Sequence, residues 1–463
     1  MATVVVLGMA PLPWERRTKH FGLGTRTWQF TQPLLDAGHR VVLMAKMMFE
    51  AYDADDAQPE FPSLSVTRVD ADSFHDIPAM RRAIADADPT CVVGVNMEAA
   101  SVACRTDVSV PIWADLNGYS MGEAQARHRI VGEGDDPFRM WMQLTPILMR
   151  ADILSAVSAP QRCALVGELG AVGRLCGPTF GYEFVYHIPN GVEPPPEPWD
   201  VVSPLEGLEV PDNVLWALWS GGFNTWADPL TLVDGLELAM DRVPELYFAS
   251  TGGELGAHDP VTYRRFRGLV EASAYRDRFH LLGWLDSDRV DRVMREAHIG
   301  LNVDSLCYET EFGARNRLNA MMRYGMPLIT TYGSEISRII ERHGLGIVIG
   351  CHDHKALAGA LVWAVRNRDR MRSMGLRAQE FALEKFSFSA TTKRLVAWVD
   401  SPEFAPDNAA RRQGGTGSAT ELQRRMAILA DIPGLEEDRA ELLRIQRTTA
   451  FRMYHRLRQL RAR

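Results

Sequence analysis

The residues with the most chemical potential in this chain are crowded between Asp304 and Pro327, where Glu309, Glu311, Arg315, Asn316 and Arg317 fall around the start of an amphipathic helix. A helix N-terminus favours an anion, and a guanidinium can clamp phosphate oxygens bidentately, so this arrangement suits a phosphorylated ligand. A structural salt-bridge cluster would use the same residue types. Two glycine turns carry related chemistry. Phe21-Gly22-Leu23-Gly24-Thr25-Arg26, expected between the first strand and the first helix, offers backbone amides and a cation to a diphosphate; a tight turn with a solvated arginine is the alternative. Ser220-Gly221-Gly222-Phe223-Asn224 repeats the theme and suits another face of the same ligand. The dinucleotide fingerprint G-x-G-x-x-G is missing, since Thr27 stands at its third glycine, which argues against a dehydrogenase.

The elements that must position these residues follow an α/β rhythm. Thr3 to Leu7 is a β-branched run, Trp28 to Ala37 has helical spacing with Pro33 inside it, and Arg40 to Met44 is a second apolar strand. Strand, helix, strand in this order opens a parallel, doubly wound sheet, because parallel strands need a covering crossover. Short apolar runs at Cys91, Pro111, Ile153 and Phe184 continue it. Proline density from Pro194 to Pro211 marks a hinge. Beyond it strands are expected at Val214, Leu246, Phe279, Ile299, Leu328 and Ile347. The chain therefore reads as two Rossmann-like domains facing a cleft, residues 1–193 and 212–385. Residues 386–400 are expected as a helix returning to the first domain. Residues 401–463 are expected as a linker and a C-terminal helical tail.

Composition bounds the function classes. The chain has 463 residues, 46% hydrophobic and 24% charged, as a soluble globular protein of two or three domains would. No apolar stretch reaches spanning length and no signal peptide opens the chain, so a cytoplasmic protein is expected. Six cysteines without C-x-x-C spacing argue against a zinc site or redox pair and read as buried free thiols. The net charge of -8 argues against a nucleic-acid partner. The last 22 residues, Leu442 to Arg463, instead carry seven arginines and no acid, interleaved with Leu443, Phe451 and Leu457. That pattern suits a basic amphipathic helix on an anionic membrane surface; a coiled coil or a docked helix are the alternatives.

Several motifs agree on a family. Ala37-Gly-His-Arg-Val41, Ser155 to Ser158, Ile188-Pro-Asn-Gly-Val-Glu193, Phe279-His-Leu-Leu-Gly-Trp284, Ala297-His-Ile-Gly-Leu-Asn-Val-Asp304 and Gly325-Met-Pro327 together resemble the retaining GT-B glycosyltransferases of the group-one, family-four kind, over nearly all of residues 1–400. The resemblance implies transfer of a sugar from a nucleotide-diphosphate sugar to a glycan, lipid-linked or small-molecule alcohol. It implies no cofactor beyond that co-substrate, and no metal. A GT-B sugar-nucleotide epimerase and a non-catalytic nucleotide-sugar-binding protein are the alternatives.

The resemblance also implies that residues 1–193 hold the acceptor and residues 212–385 the nucleotide-sugar donor, and it implies site residues. Glu311 takes the place of the family's first donor-motif glutamate, which holds the sugar hydroxyls. Asn319, or Ala320 by another count, stands where the second, ribose-binding glutamate is expected. The basic pair that usually follows the second domain's glycine turn is missing from Gly221 to Asp228, and Arg315 and Arg317 are the substitutes. Gly283 and Trp284 lie in the loop set against the nucleotide base. Asp115 ends a strand near the anomeric carbon, where a carboxylate orients the acceptor or stabilises developing positive charge; capping the next turn is its alternative role. Donor-binding candidates are thus Gly22, Gly24, Arg26, Gly221, Gly222, Asn224, Gly283, Trp284, Arg315, Asn316 and Asn319, with Asp115 and Glu311 as catalytic candidates.

Overall fold

The computed structural model describes residues 1–15, 21–48, 61–132, 136–198, 200–256 and 258–413. Seven parallel strands form the first sheet: β1 (Thr3–Ala10), β2 (Arg40–Met47), β3 (Leu64–Val69), β4 (Cys91–Gly94), β5 (Ile112–Leu116), β6 (Ile153–Ala156) and β7 (Val185–His187). Their order is β3-β2-β1-β4-β5-β6-β7. The run Val4 to Leu7 is apolar at every position because both faces of the sheet are covered. Val4 and Val6 pack with Trp28, Phe30 and Leu34 on one face. Val5 and Leu7 pack with Ala99, Ala103 and Ile147 on the other. β3 differs: it is an edge strand with alternating partial exposure, so its polar sequence hides it among connections.

The second sheet has six parallel strands: β8 (Leu215–Ser220), β9 (Leu246–Thr251), β10 (Phe279–Leu281), β11 (Ile299–Asn302), β12 (Leu328–Thr331) and β13 (Gly346–Ile349), in the order β10-β9-β8-β11-β12-β13. In both sheets the winding reverses beside the first strand, at β1/β4 and at β8/β11. Ligands of such sheets bind outside the strand C-termini at that reversal. Residues following β1, β5, β8 and β11 line one shared cleft.

The chain crosses between the domains twice, side by side. Val192 forms a parallel bridge with Ser387, and the Val192 N–H donates to the Phe386 carbonyl at 2.7 Å. The Glu193 carboxylate accepts from the Phe388 N–H at 3.0 Å. After the second crossing, Phe388, Leu395 and Val399 join the core around Val4 and Trp113. Residues 401–412 are not the linker the composition suggests. The helix Pro406–Arg412 is held to the first domain by Asp407, paired with Arg174 at 2.7 and 2.9 Å, and by Asn408, which donates to Asp152 at 2.6 Å. The arginine-rich helix expected at 442–463 lies outside the described residues.

Two further expectations need correcting. The first helix begins at Gly22 rather than Trp28, so Gly22 to Arg26 are helical and not a loop. Of the six cysteines, all free, only Cys91 and Cys104 are buried, and Cys163 is exposed. No helix among the described residues is long and apolar enough to cross a membrane.

Candidate functional site

The cleft between the sheets encloses about 890 Å³, within the usual range for a small-molecule site. Its phosphate-binding potential comes from two helix starts. The helix Gly22–Asp36 begins at Phe21 and the helix Asn316–Arg323 at Arg315; neither has a side-chain cap or an acidic residue in its first turn. Uncapped first turns leave N–H groups for a ligand, and the dipoles favour negative charge. Gly22, Leu23, Asn316, Arg317 and Asn319 line the cleft here. Gly22 lies close against Asn316, whose side-chain amide would have to move for a Cβ that would lie 2.2 Å from its Nδ2.

Arg315, Arg317 and Arg323 line the cleft, and the first two differ sharply in how far they are neutralised. Arg315, 5% exposed, gives Nε to Asp304, and its two terminal nitrogens to Glu309 at 3.2 and 2.8 Å. Arg315 lines the cleft, but a guanidinium held between two carboxylates is largely neutralised and has less to offer a diphosphate than expected. Arg317 is different. It lies 3.7 Å over the Trp219 ring and donates to the Ser220 carbonyl, to Asn302 Oδ1 at 3.1 Å and to the Gly222 carbonyl at 2.7 Å. Three of its five N–H groups are engaged, and no carboxylate among the described residues pairs with it. Burial therefore holds its guanidinium down at about 10, which a bound anion would reverse.

Of the two glutamates, Glu309 rather than Glu311 lines the cleft. Glu309 is 4% exposed. Burial pushes its carboxyl up to about 7, with Arg315 opposing. Glu311 is not among the lining residues; its side chain is 43% exposed and reaches toward Arg338 at 3.9 Å. The short helix Tyr308–Phe312 turns these two positions in different directions.

Asp115 and Arg26 are also withdrawn from the cleft. Arg26, 2% exposed, makes five hydrogen bonds: to Asp115 at 3.0 and 2.7 Å, to Gln29 at 2.9 Å, and to the Pro189 and Ile188 carbonyls at 3.0 and 2.8 Å. Asp115 is fully buried and also accepts from Ser155 at 2.7 Å. The pair fastens the first helix, β5, β6 and the approach to the hinge together, so neither residue is free to meet a ligand. Gly24 is likewise structural, because a Cβ there would sit 1.8 Å from the Pro11 carbonyl oxygen.

The remaining candidates are at or near the cleft. Gly221, Gly222, Asn224 and Trp284 line it. Gly283 does not, but its φ of +70° shapes the turn that presents Trp284, whose ring lies 5.3 Å from Phe21 of the other domain. Asn316 accepts from Asn190, and Asn319 Nδ2 donates to the Asn190 carbonyl at 2.7 Å, so both also tie the second domain to the end of the first. Asn117 was not anticipated. It donates to Asn96 at 2.9 Å, and Asn96, at φ 72°, donates to the Leu23 carbonyl, so a polar ladder braces the first domain's wall. Its only signal in the sequence is an Asn-Gly pair directly after an apolar strand. Among the described residues no group of three or more His, Cys, Asp or Glu side chains is placed to hold a metal ion.

Away from the floor, Tyr119 meets Phe312 of the other domain edge-on at 4.9 Å and hydrogen-bonds Glu168. Burial raises the Glu168 carboxyl to about 7, with Tyr119 opposing. The folded chain thus holds a proton that the unfolded chain releases near 4.5, so this group's contribution favours folding below 4.5 and fades as pH rises to 7. Urea midpoints measured across that window are expected to fall less steeply in Glu168→Gln than in the wild type. Identical slopes would remove Glu168 from the balance.

No protein-family model matches the chain, and no curated protein does. Solved structures do. A sucrose-phosphate synthase from Thermosynechococcus elongatus aligns over 87% of this chain and 100% of its own, at 16% identity and a TM-score of 0.63. Anabaena HepE in complex with UDP and glucose aligns over the same shares at 12% identity and a TM-score of 0.58. WaaG, a glycosyltransferase involved in lipopolysaccharide biosynthesis, aligns over 86% of this chain and 100% of its own at 12% and 0.56. What the chain shares with them is the fold, two Rossmann-like domains about a cleft in the GT-B arrangement.

Proposed function

We propose that this chain transfers a sugar from a nucleotide diphosphate donor to an alcohol acceptor, with retention at the anomeric carbon. One observation carries the reading: Arg317, a guanidinium with no carboxylate partner among the described residues, lines the cleft in the first turn of an uncapped helix, and a second uncapped helix start lines the same cleft. In this reading the diphosphate lies across Gly22, Gly222 and Arg317, the base lies toward Trp284, and Glu309 takes the sugar hydroxyls in place of Glu311. HepE, which shares the fold, has been seen with UDP and with UDP-glucose, so UDP is the nucleotide to try first.

The chemistry asks little of a general base. The bond from the anomeric carbon to the diphosphate oxygen breaks, and the acceptor oxygen bonds to the same face of that carbon. The acceptor's proton passes to the departing phosphate oxygen. Charge then builds on the diphosphate, where Arg317 and the helix N-termini stabilise it more strongly than in the ground state. Closed domains exclude the water that would otherwise hydrolyse the donor.

Calorimetric titration with UDP, GDP and ADP, followed by turnover of the matching nucleotide sugars with and without alcohols, tests the reading. Acceptor-dependent nucleotide release supports it. An epimerised sugar or tight binding without turnover points instead to an epimerase or a binding protein, and no nucleotide binding overturns it. The acceptor, glycan, lipid-linked or small, and a cytoplasmic site of action belong to the same proposal. So does contact with an anionic membrane through residues 442–463, at roughly 1 kcal/mol for each arginine near the surface. Co-sedimentation with anionic vesicles is expected for the full chain, weakening as salt rises, and is expected to be lost in a chain ending at 413. Equal behaviour of the two chains would remove the membrane partner.

A further inference from the structure

Outward from the phosphate floor the cleft has two ends, told apart by the contacts made across it. At one end Trp284 lies against Phe21, and Tyr324 hydrogen-bonds Asp291. Arg295 joins Asp291 to the hinge carbonyl of Pro196, so the helix Ser287–Glu296 and the hinge close that side. At the other end the first domain meets Glu309. The helix Ser120–Val131 starts there, and a Cβ on its Gly122 would lie 2.9 Å from the Glu309 backbone nitrogen. Three first-domain residues line the cleft beside this contact: Asn117 and Gly118, which follow β5, and Glu123, in the first turn of the helix. The Asn117 amide is fixed in orientation. The Leu23 carbonyl can only accept, so Asn96 gives it Nδ2 at 3.2 Å and keeps Oδ1 for Asn117 Nδ2 at 2.9 Å. Asn117 Oδ1 is thereby left as an acceptor, and no described residue donates to it. The Glu123 carboxylate lies 3.6 Å from His258 Nε2 of the second domain, and both side chains are partly exposed.

We propose that Glu123 and Asn117 bind the acceptor, holding two hydroxyls of a saccharide or polyol against the first-domain wall of the cleft beside Glu309. The inference rests on the sugar-transfer reading, in which Glu309 takes the donor's sugar. In that reading Gly22 and Leu23 face the phosphate and Phe21 faces the base. The segment from Asn117 to Glu123 is then the part of the first-domain wall nearest the donor's sugar, where an acceptor oxygen has to arrive. An ionised carboxylate and an amide oxygen both accept hydrogen bonds and donate none, so their common ligand must donate at two places. Neighbouring hydroxyls of a sugar or polyol do so, whereas a monohydric alcohol fills one place only. A hydrogen bond to a carboxylate is the stronger of the two, so Glu123 carries more of the affinity. Two points of attachment also fix the acceptor's rotation, and with it the hydroxyl that faces the donor.

Saturation-transfer NMR titrations on the full chain with UDP present test this, using the methyl glycosides of glucose, mannose, galactose and N-acetylglucosamine as probes and cyclohexanol as the monohydric control. At least one glycoside is expected to bind, and cyclohexanol is not. The glycoside's dissociation constant is expected to rise about tenfold or more in Glu123→Ala and severalfold in Asn117→Ala, while Glu123→Ala leaves UDP affinity unchanged. His258→Ala removes the facing imidazole alone and is expected to keep glycoside binding. Thermal melts establish that each variant is folded. Undiminished glycoside binding in Glu123→Ala, or equal transfer to cyclohexanol, would overturn the assignment. So would an equal loss in His258→Ala, which would make Glu123 half of a pair that holds the domains together. Nucleotide titration of the wild-type chain separates the two claims. UDP binding without binding of any glycoside sinks the acceptor site alone, and failure of UDP, GDP and ADP alike to bind sinks the sugar-transfer reading.

Discussion

Arg317→Ala is expected to weaken UDP binding by roughly a hundredfold or more while uridine binding changes little. Two N–H groups of this guanidinium remain for an anion, and a hydrogen bond to a charged group is worth ~1.5–3 kcal/mol, so losing both costs about 3 kcal/mol or more. Because Arg317 also supports the Ser220 and Gly222 carbonyls, Arg317→Lys is the companion variant. It keeps the charge and should recover part of the affinity. Calorimetry with UDP and uridine decides: parallel loss of both ligands would mean that the glycine turn has collapsed and that the phosphate contact lies elsewhere. Arg315→Ala should behave differently. It strips two buried carboxylates of their partner, and its first effect should be on the unfolding midpoint.

Asp115→Ala is expected to cost about 3–5 kcal/mol of stability, because it leaves the Arg26 guanidinium buried and unpaired. The loss should appear as a lower urea midpoint with or without nucleotide. If the variant unfolds at the wild-type midpoint yet has lost turnover, Asp115 belongs to the chemistry and its structural assignment is wrong.

Asp115 also illustrates what could be read in advance. That it ends a strand was legible, because Pro111 to Ala114 is an apolar run leading to an acid and then Asn-Gly. That its partner would be Arg26 was not, since the two are 89 positions apart and meet only when the first helix is packed. The alternation of strands was visible because covered parallel strands are apolar throughout, and β3 was missed because an edge strand need not be. The resemblance points to Glu311, whereas the facing of a five-residue helix puts Glu309 on the cleft, and no periodicity that short reveals which side is inward. Arg315 and Arg317 are alike in sequence; their difference lies in Asp304 and Glu309, which take one and leave the other.

The two side-by-side crossings imply an order of assembly during synthesis. The cores on the two faces of the second sheet draw on residues from Val192 to Phe386 and are complete in one continuous stretch of chain. The core around Val4, Trp28 and Trp113 also needs Phe388, Leu395 and Val399. Some 200 residues separate Ile188 from Phe388, so at ~5–20 residues per second roughly 10–40 s pass between them on the ribosome. The domain begun first is therefore finished last, and the part of one apolar face that the first helix leaves open waits for cover while the inner domain folds beside it.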